Sequence, residues 1–128
     1  MFDTVLVAGL GLMGGSMAKT IKARTLSRVL GWNRTRATAE QALADGSIDA
    51  IATDALFREV DLVIIGLYPQ ATVDWLLENM PKMKKGCVIV DMVGVKQFMV
   101  DHLEQAALDA GVHYVGGHPM AGREVSGL

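Results

Sequence analysis

Three glycines near the amino terminus have the spacing of a phosphate-binding turn. They directly follow an apolar run and open a helical pattern. Gly9 permits the tight turn, Gly11 lets the backbone approach a pyrophosphate, and Gly14 lets helix and strand pack closely. The first amides of the helix add hydrogen-bond donors and partial positive charge. The motif predicts a dinucleotide site with Leu12 and Met13 among its contacts; the alternative is a merely flexible turn.

The second predicted strand is followed by Asn33, Arg34 and Thr35, at the point where NAD sites carry Asp or Glu for the ribose 2′-hydroxyl. Asn33 lacks the carboxylate that would repel a 2′-phosphate, and Arg34 offers a fork of donors matched to phosphate. Thr35 either adds a hydroxyl or caps the next helix. These residues predict NADP as the cofactor, with NAD as the second candidate. In the alternative interpretation, Arg34 is a solvated helix-start residue and Asn33 serves NAD.

Tyr68 and Pro69 follow the fourth predicted strand, where a loop of a dinucleotide-binding domain passes over the nicotinamide. We therefore count both among the predicted cofactor-binding residues. Pro69 also suits the first turn of a helix, because its φ is fixed and it has no N–H. No spacing of His, Cys or Asp indicates a metal site.

The elements that must position these residues alternate between strand and helix. Short apolar or β-branched runs predict six strands, at residues 4–8, 29–31, 49–52, 62–65, 88–90 and 113–115. Helical patterns fill residues 14–23, 35–43 and 98–110. Continuously apolar strands indicate burial on both faces, which is typical of parallel sheets covered by helices. We therefore predict an α/β, Rossmann-type, doubly wound and mostly parallel six-stranded sheet, with ligands beyond the carboxyl ends of the strands.

Composition narrows the class of protein. With 128 residues, 51% apolar and 20% charged, the chain predicts one globular domain, a dinucleotide-binding domain over residues 1–128. A formal charge of −2 gives no field for nucleic acid or an anionic membrane. Cys87 is the single cysteine, which fits a reducing compartment. Without a signal-peptide pattern or a transmembrane-length apolar run, we expect a cytoplasmic protein.

Two further motifs exceed what a generic domain of this type needs. They are DMVGVK at residues 91–96 and GGHPMAGREVSG at residues 116–127. Together with the glycine motif, they resemble the prephenate dehydrogenase family, which includes arogenate and cyclohexadienyl dehydrogenases. The resemblance implies a domain that oxidatively decarboxylates prephenate, or arogenate, on the route to tyrosine. It also implies a helical carboxyl-terminal domain that dimerises and supplies basic residues to the substrate, and we expect this chain to be the cofactor half without it.

The resemblance also assigns catalytic residues. His118 is implied to hydrogen-bond the substrate hydroxyl, a task that suits a neutral imidazole near pH 7. Glu124 matches an acidic active-site residue of the family. Lys96 is a candidate by its position instead: it lies at the turn between the fifth predicted strand and the next helix, and it is either catalytic support or a surface residue. Many family members have Ser where this chain has Gly94, so fine tuning of the site by that hydroxyl is missing here.

Two other functions fit part of the pattern. One is another NADP-dependent reductase, of the hydroxyacid or pyrroline-carboxylate type, which would not need the HPMAG segment. The other is a non-catalytic NADP-binding module. The sequence does not discriminate prephenate from arogenate, because the discriminating contacts are expected from the second domain.

Overall fold

The structure is a computed structural model that describes residues 2–92 and 97–115. Five helices and a short 3-10 helix connect six strands. The strands are β1 (Thr4–Ala8), β2 (Arg28–Trp32), β3 (Ala50–Ile51), β4 (Leu62–Ile65), β5 (Val88–Asp91) and β6 (His113–Val115). The helices are α1 (Leu12–Arg24), α2 (Arg36–Ala44), α3 (Asp54–Phe57), α4 (Pro69–Asn79) and α5 (Gln97–Ala110), with the 3-10 helix at Met80–Lys82.

All six strands are parallel, and their order in the sheet is β3-β2-β1-β4-β5-β6. The chain starts in the middle of the sheet, builds outward to β3, and then crosses over to β4 on the other side of β1. This order creates a switch point between β1 and β4, where loops after the two strands leave in opposite directions and open a crevice. The predicted Rossmann-type fold is confirmed, and the sheet is entirely rather than mostly parallel.

Both faces of the sheet are buried, as the continuously apolar strands predict. Along β1, Val5 and Val7 belong to the cluster that packs under α1 and α2. Leu6 and Ala8 belong to the larger cluster formed with α3, α4 and α5. Successive side chains of a strand point to opposite faces, so each strand contributes to two cores. The carboxyl edge of the sheet is thereby held rigidly from both sides.

Several boundaries differ from the sequence prediction. α1 begins at Leu12, which places Gly14 inside its first turn. β3 covers only Ala50–Ile51. At its amino end, the Asp49 carboxylate accepts the Val29 N–H at 2.8 Å and pairs with Lys22. At its carboxyl end, the Ala52 N–H still donates to the Gly31 carbonyl at 2.8 Å. α3 and the 3-10 helix were not predicted. α4 begins at Pro69, as predicted. Gly46 follows α2 and Gly111 follows α5, and both have a positive φ.

Candidate functional site

The glycine-rich turn joins β1 to α1 at the switch point. Gly9 has a φ of +96°, in the left-handed region, and its N–H donates to the carbonyl of Trp32 at 2.8 Å. A Cβ on Gly14 would overlap the carbonyl oxygen of Gly9 and lie 2.9 Å from its carbonyl carbon. The turn and the helix therefore touch backbone to backbone at this point, which only a residue without a side chain permits.

The start of α1 is open toward the crevice. Gly11 precedes the helix, no side chain caps it, and a Cβ at Gly11 would meet nothing within 4 Å. The first amides of a helix have no partner within the helix, so they remain donors for a ligand. Leu12 and Met13 are 93% and 62% exposed, respectively. The turn thus combines free space and backbone donors with apolar side chains that stand in solvent.

The loop after β2 lies beside this turn. The side-chain carbonyl of Asn33 accepts a hydrogen bond from the Leu10 N–H at 2.8 Å. Arg34 is exposed and has no ion-pair partner within residues 2–92 and 97–115. Thr35 occupies the position before α2, but its hydroxyl makes no capping hydrogen bond. Of the two roles predicted for Thr35, capping is therefore not seen in this structure.

A cavity of about 270 Å³ opens where β2 and β4 end. Its walls come from the loop after β2, the loop after β4 and one face of α4, and consist of Trp32, Arg34, Leu67, Ala71, Asp74, Trp75 and Glu78. The rings of Trp32 and Trp75 are 5.7 Å apart between centroids and tilted by 60°. The lining of the cavity therefore includes two aromatic rings, the guanidinium of Arg34 and the carboxylates of Asp74 and Glu78.

The α4 part of this wall was missed in the sequence analysis. Ala71, Asp74, Trp75 and Glu78 recur at intervals of three, one and three residues, which is the spacing of one helical face. This spacing could have been recognised in the sequence, because Pro69 already indicated that a helix begins there. The indole N–H of Trp75 is buried and has no hydrogen-bond partner among the described residues.

A larger cavity of about 590 Å³ lies between α1 and α2 and shares Gly11 and Leu12 with the turn. Lys19 and Asp45 contribute charges of opposite sign to its lining. The carboxyl of Asp45 has a lowered pKa, first because of the hydrogen bond from the Ser47 hydroxyl. No motif in the sequence indicates this cavity, since its two walls are about twenty-five residues apart along the chain.

At the opposite side of the crevice, Tyr68 is 86% exposed and directly precedes Pro69, the first residue of α4.

The buried carboxylate of Asp91, at the end of β5, accepts a hydrogen bond from the Tyr114 hydroxyl at 3.3 Å. Burial and the Asp91 charge raise the pKa of Tyr114 above its ordinary value. β6 leads from this pair directly into residues 116–127.

The predicted catalytic residues Lys96, His118 and Glu124 lie outside the described residues, as does Gly94. The predicted cofactor residues all lie within them. A hydrogen bond from the Leu10 N–H to the Asn33 side chain holds the residues of the turn beside those of the loop after β2. Tyr68 and Pro69 lie after β4, at the start of α4.

Among residues 2–92 and 97–115, His, Cys, Asp and Glu form no group of three or more that would hold a metal ion. None of the helices described is both long and apolar enough to cross a membrane.

Comparison with known proteins places the chain in a family. The family model "Prephenate dehydrogenase, nucleotide-binding domain" matches residues 17–128. The prephenate dehydrogenase of Bacillus subtilis (strain 168) is 37% identical over 132 residues, which cover 100% of this chain and 35% of that protein. The chain thus spans about a third of the length of this relative.

Solved structures agree with this match. The prephenate dehydrogenase from A. aeolicus, in complex with hydroxyphenyl propionate and NAD⁺, is 27% identical, with a TM-score of 0.80 over 99% of this chain and 45% of that one. The 3-hydroxyisobutyrate dehydrogenase of Mycobacterium tuberculosis shares the fold at 20% identity, with a TM-score of 0.74 over 89% of this chain and 39% of that one. This chain belongs to the prephenate dehydrogenase family and corresponds to its nucleotide-binding domain.

Proposed function

We propose that the chain is the NADP(H)-binding domain of a dehydrogenase that oxidatively decarboxylates prephenate or arogenate, in tyrosine biosynthesis. The observation that carries the cofactor proposal is Arg34. Its guanidinium has no ion-pair partner within the described ranges, and it stands at a cavity where β2 ends without a carboxylate. An unpaired arginine in this position is matched to a phosphate on the ribose 2′-oxygen.

The remaining contacts follow from the crevice. The pyrophosphate would lie on the turn of Gly9, Gly11 and Gly14, against the first amides of α1. The adenosine half would enter the cavity between Trp32, Arg34 and Trp75, where its base would meet aromatic and guanidinium faces. Tyr68 and Pro69 would border the nicotinamide half.

The nicotinamide supplies a hydride acceptor when bound, and the residues of this chain prepare the substrate for it. His118 would accept the proton of the ring hydroxyl as the hydride leaves the carbon that carries this hydroxyl, and CO₂ is released from the ring. Glu124 would pair with a basic group of a second domain, and Lys96 would support the site. We expect this chain alone to be nearly inactive, because the substrate carboxylates need basic partners and a closed crevice. We infer that the complete protein is a cytoplasmic homodimer with a helical second domain.

The cofactor proposal is tested by titrating the chain with NADPH and with NADH. Trp32 and Trp75, the two tryptophans of the sequence, both line the cavity and provide the fluorescence signal. We expect tighter binding of NADPH. Arg34→Ala should lower NADPH affinity by about 10- to 150-fold, which corresponds to the ~1.5–3 kcal/mol of a charge-assisted hydrogen bond. It should lower NADH affinity much less, so that most of the difference between the two nucleotides is lost.

Arg36→Ala is the matched control, because Arg36 lies two residues away, is exposed, and pairs with Glu40 on the surface of α2 at 3.3 Å. It should change neither affinity. The structure of the A. aeolicus relative is a complex with NAD⁺, so NAD is the competing cofactor. Equal affinity of the parent for the two nucleotides would contradict the NADP proposal.

The catalytic proposal is tested in the complete protein by His118→Asn. Asn retains one hydrogen bond but no basicity, so turnover of prephenate should fall by about 100- to 10,000-fold, and the acidic limb of the pH–rate profile should disappear. NADPH affinity should stay unchanged, because the proposed phosphate contacts are elsewhere. A variant with near-parental turnover and an unaltered profile would show that His118 is a packing residue.

A further inference from the structure

Asn33 connects two loops that come from different strands. Its side-chain oxygen accepts the Leu10 N–H at 2.8 Å, on the glycine-rich turn after β1. Its side-chain nitrogen donates to the Thr35 carbonyl at 3.1 Å, just beyond Arg34 in the loop after β2. One amide side chain therefore ties the turn to the loop that carries the guanidinium.

The two partners determine which way the amide faces. The Leu10 N–H is a donor and needs the oxygen, whereas the Thr35 carbonyl is an acceptor and needs the NH₂. The reversed amide would set donor against donor and acceptor against acceptor. An Asp in this place would keep the bond to Leu10 but present a second oxygen to the Thr35 carbonyl. Among side chains of this size, only Asn satisfies both partners.

This geometry changes the role expected of Asn33. The sequence suggested that Asn33 matters because it lacks a carboxylate that would repel a 2′-phosphate. In the structure, the side chain is engaged with the backbone on both sides. Its carbonyl oxygen and one of its N–H groups bridge two backbone segments of the protein, and Arg34 is the charged side chain of this loop that stands free for a 2′-phosphate.

We propose that Asn33 is a positioning residue that holds the pyrophosphate turn and the Arg34 loop in register, and that it does not itself distinguish NADP from NAD. This inference rests on the proposed nucleotide site. It assigns the two requirements of such a site to adjacent residues: Asn33 sets the affinity for any dinucleotide, and Arg34 sets the preference between the two.

The test compares Asn33→Ala, Asn33→Asp and Arg34→Ala in the same chain, with NADPH and NADH as probes and Trp32/Trp75 fluorescence as the signal. Asn33→Ala removes both hydrogen bonds and leaves the Leu10 N–H without a partner. We expect both affinities to fall by the same factor, about fivefold to 20-fold, so that their ratio stays within about twofold of the parent. Arg34→Ala should instead change the ratio.

Asn33→Asp separates the two bonds. It restores an acceptor for the Leu10 N–H, so NADH affinity should return to within about twofold of the parent, whereas NADPH affinity should stay low because the new charge repels a 2′-phosphate. This rescue distinguishes local positioning from general loss of stability. Thermal melting without nucleotide checks that each variant is folded, and if Asn33→Ala is not, Asn33→Asp alone decides.

The results that would contradict the positioning role of Asn33 differ from those that would contradict the NADP proposal. If Asn33→Ala lowers only NADPH affinity, Asn33 reads the 2′-phosphate directly and the inference is wrong. If Asn33→Asp tightens NADH binding several-fold, the side chain is free to reach the ribose, and the inference is also wrong. A parent that prefers neither nucleotide, while Asn33→Ala weakens both, would refute the NADP proposal and support the positioning role. Binding of neither nucleotide by the parent would overturn both.

Discussion

The contact between the glycine-rich turn and α1 makes a sharp prediction for Gly14→Ala. The new methyl would overlap the Gly9 carbonyl oxygen and lie 2.9 Å from the Gly9 carbonyl carbon, closer than side chains approach in folded proteins. The displaced atoms belong to the backbone, so no side chain can rotate away to relieve the overlap. Either α1 must move outward, or the turn that carries Gly9 must open.

The expected cost follows from two opposing effects. Overpacking of a well-filled site costs typically about 1–3 kcal/mol, and displacement of backbone puts this site at the upper end. Ala gains up to about 1 kcal/mol over Gly in a helix. The free energy of unfolding should therefore fall by about 2 kcal/mol, and Tm by about 8 °C for a chain of this size.

The neighbouring residue provides the control. Gly15 lies in the same turn of α1, but a Cβ there would meet only the Leu10 carbonyl oxygen, at an ordinary 3.5 Å. Gly15→Ala should therefore stabilise the chain by up to about 1 kcal/mol. Urea unfolding followed by circular dichroism, without nucleotide, should separate the two variants by about 3 kcal/mol. If the two substitutions have equal effects on stability, the close backbone approach at Gly14 is wrong.

Two other predictions concern the turn and the opposite edge of the sheet. Gly11→Ala should change the free energy of unfolding by less than about 1 kcal/mol, because its methyl meets open space. It should nevertheless lower NADPH affinity about tenfold or more in a titration, because the pyrophosphate would lie in that space. Unchanged affinity would contradict this placement. Asp61→Asn should destabilise the chain at neutral pH, because the Lys84 ammonium and then the Thr4 N–H hold the pKa of Asp61 below its ordinary value. That contribution is present above the unfolded pKa of about 3.9 and is lost as pH falls through the lower folded pKa, so urea unfolding should show the gap between parent and variant narrowing below about pH 4. A gap that is as wide at about pH 2 as at neutral pH would refute it.

Much of the fold could be predicted from local sequence. Runs such as Leu62–Ile65 are apolar at every position, and a strand can bury every position only when both of its faces are covered. Gly9 and Pro69 mark where strands give way to helices, and Gly46 and Gly111 mark where helices end, because the backbone preferences of these residues act locally. The glycine-rich turn was identifiable for the same reason, since its spacing is a property of consecutive residues.

The length of β3 and the α4 wall show where local pattern was insufficient. Asp49 fits a strand by position, but its carboxylate is drawn to Lys22 and the Val29 N–H, which are neighbours only in the folded sheet. Trp75 reads as a core residue, and it becomes part of a cavity wall only because β2 brings Trp32 and Arg34 alongside α4.

The sequence by itself determined the six strands and the main helices, the glycine-rich turn, the arginine after β2 and the family motifs, because each of these is written in residues that are adjacent along the chain. The tertiary structure alone decided the order of the strands, the cavity in which Arg34 stands, and the two backbone groups to which Asn33 is hydrogen-bonded. Asn33 and Leu10 are 23 positions apart, and no local preference relates them. Their hydrogen bond exists because parallel pairing of β1 with β2 brings the ends of both strands to the same edge of the sheet.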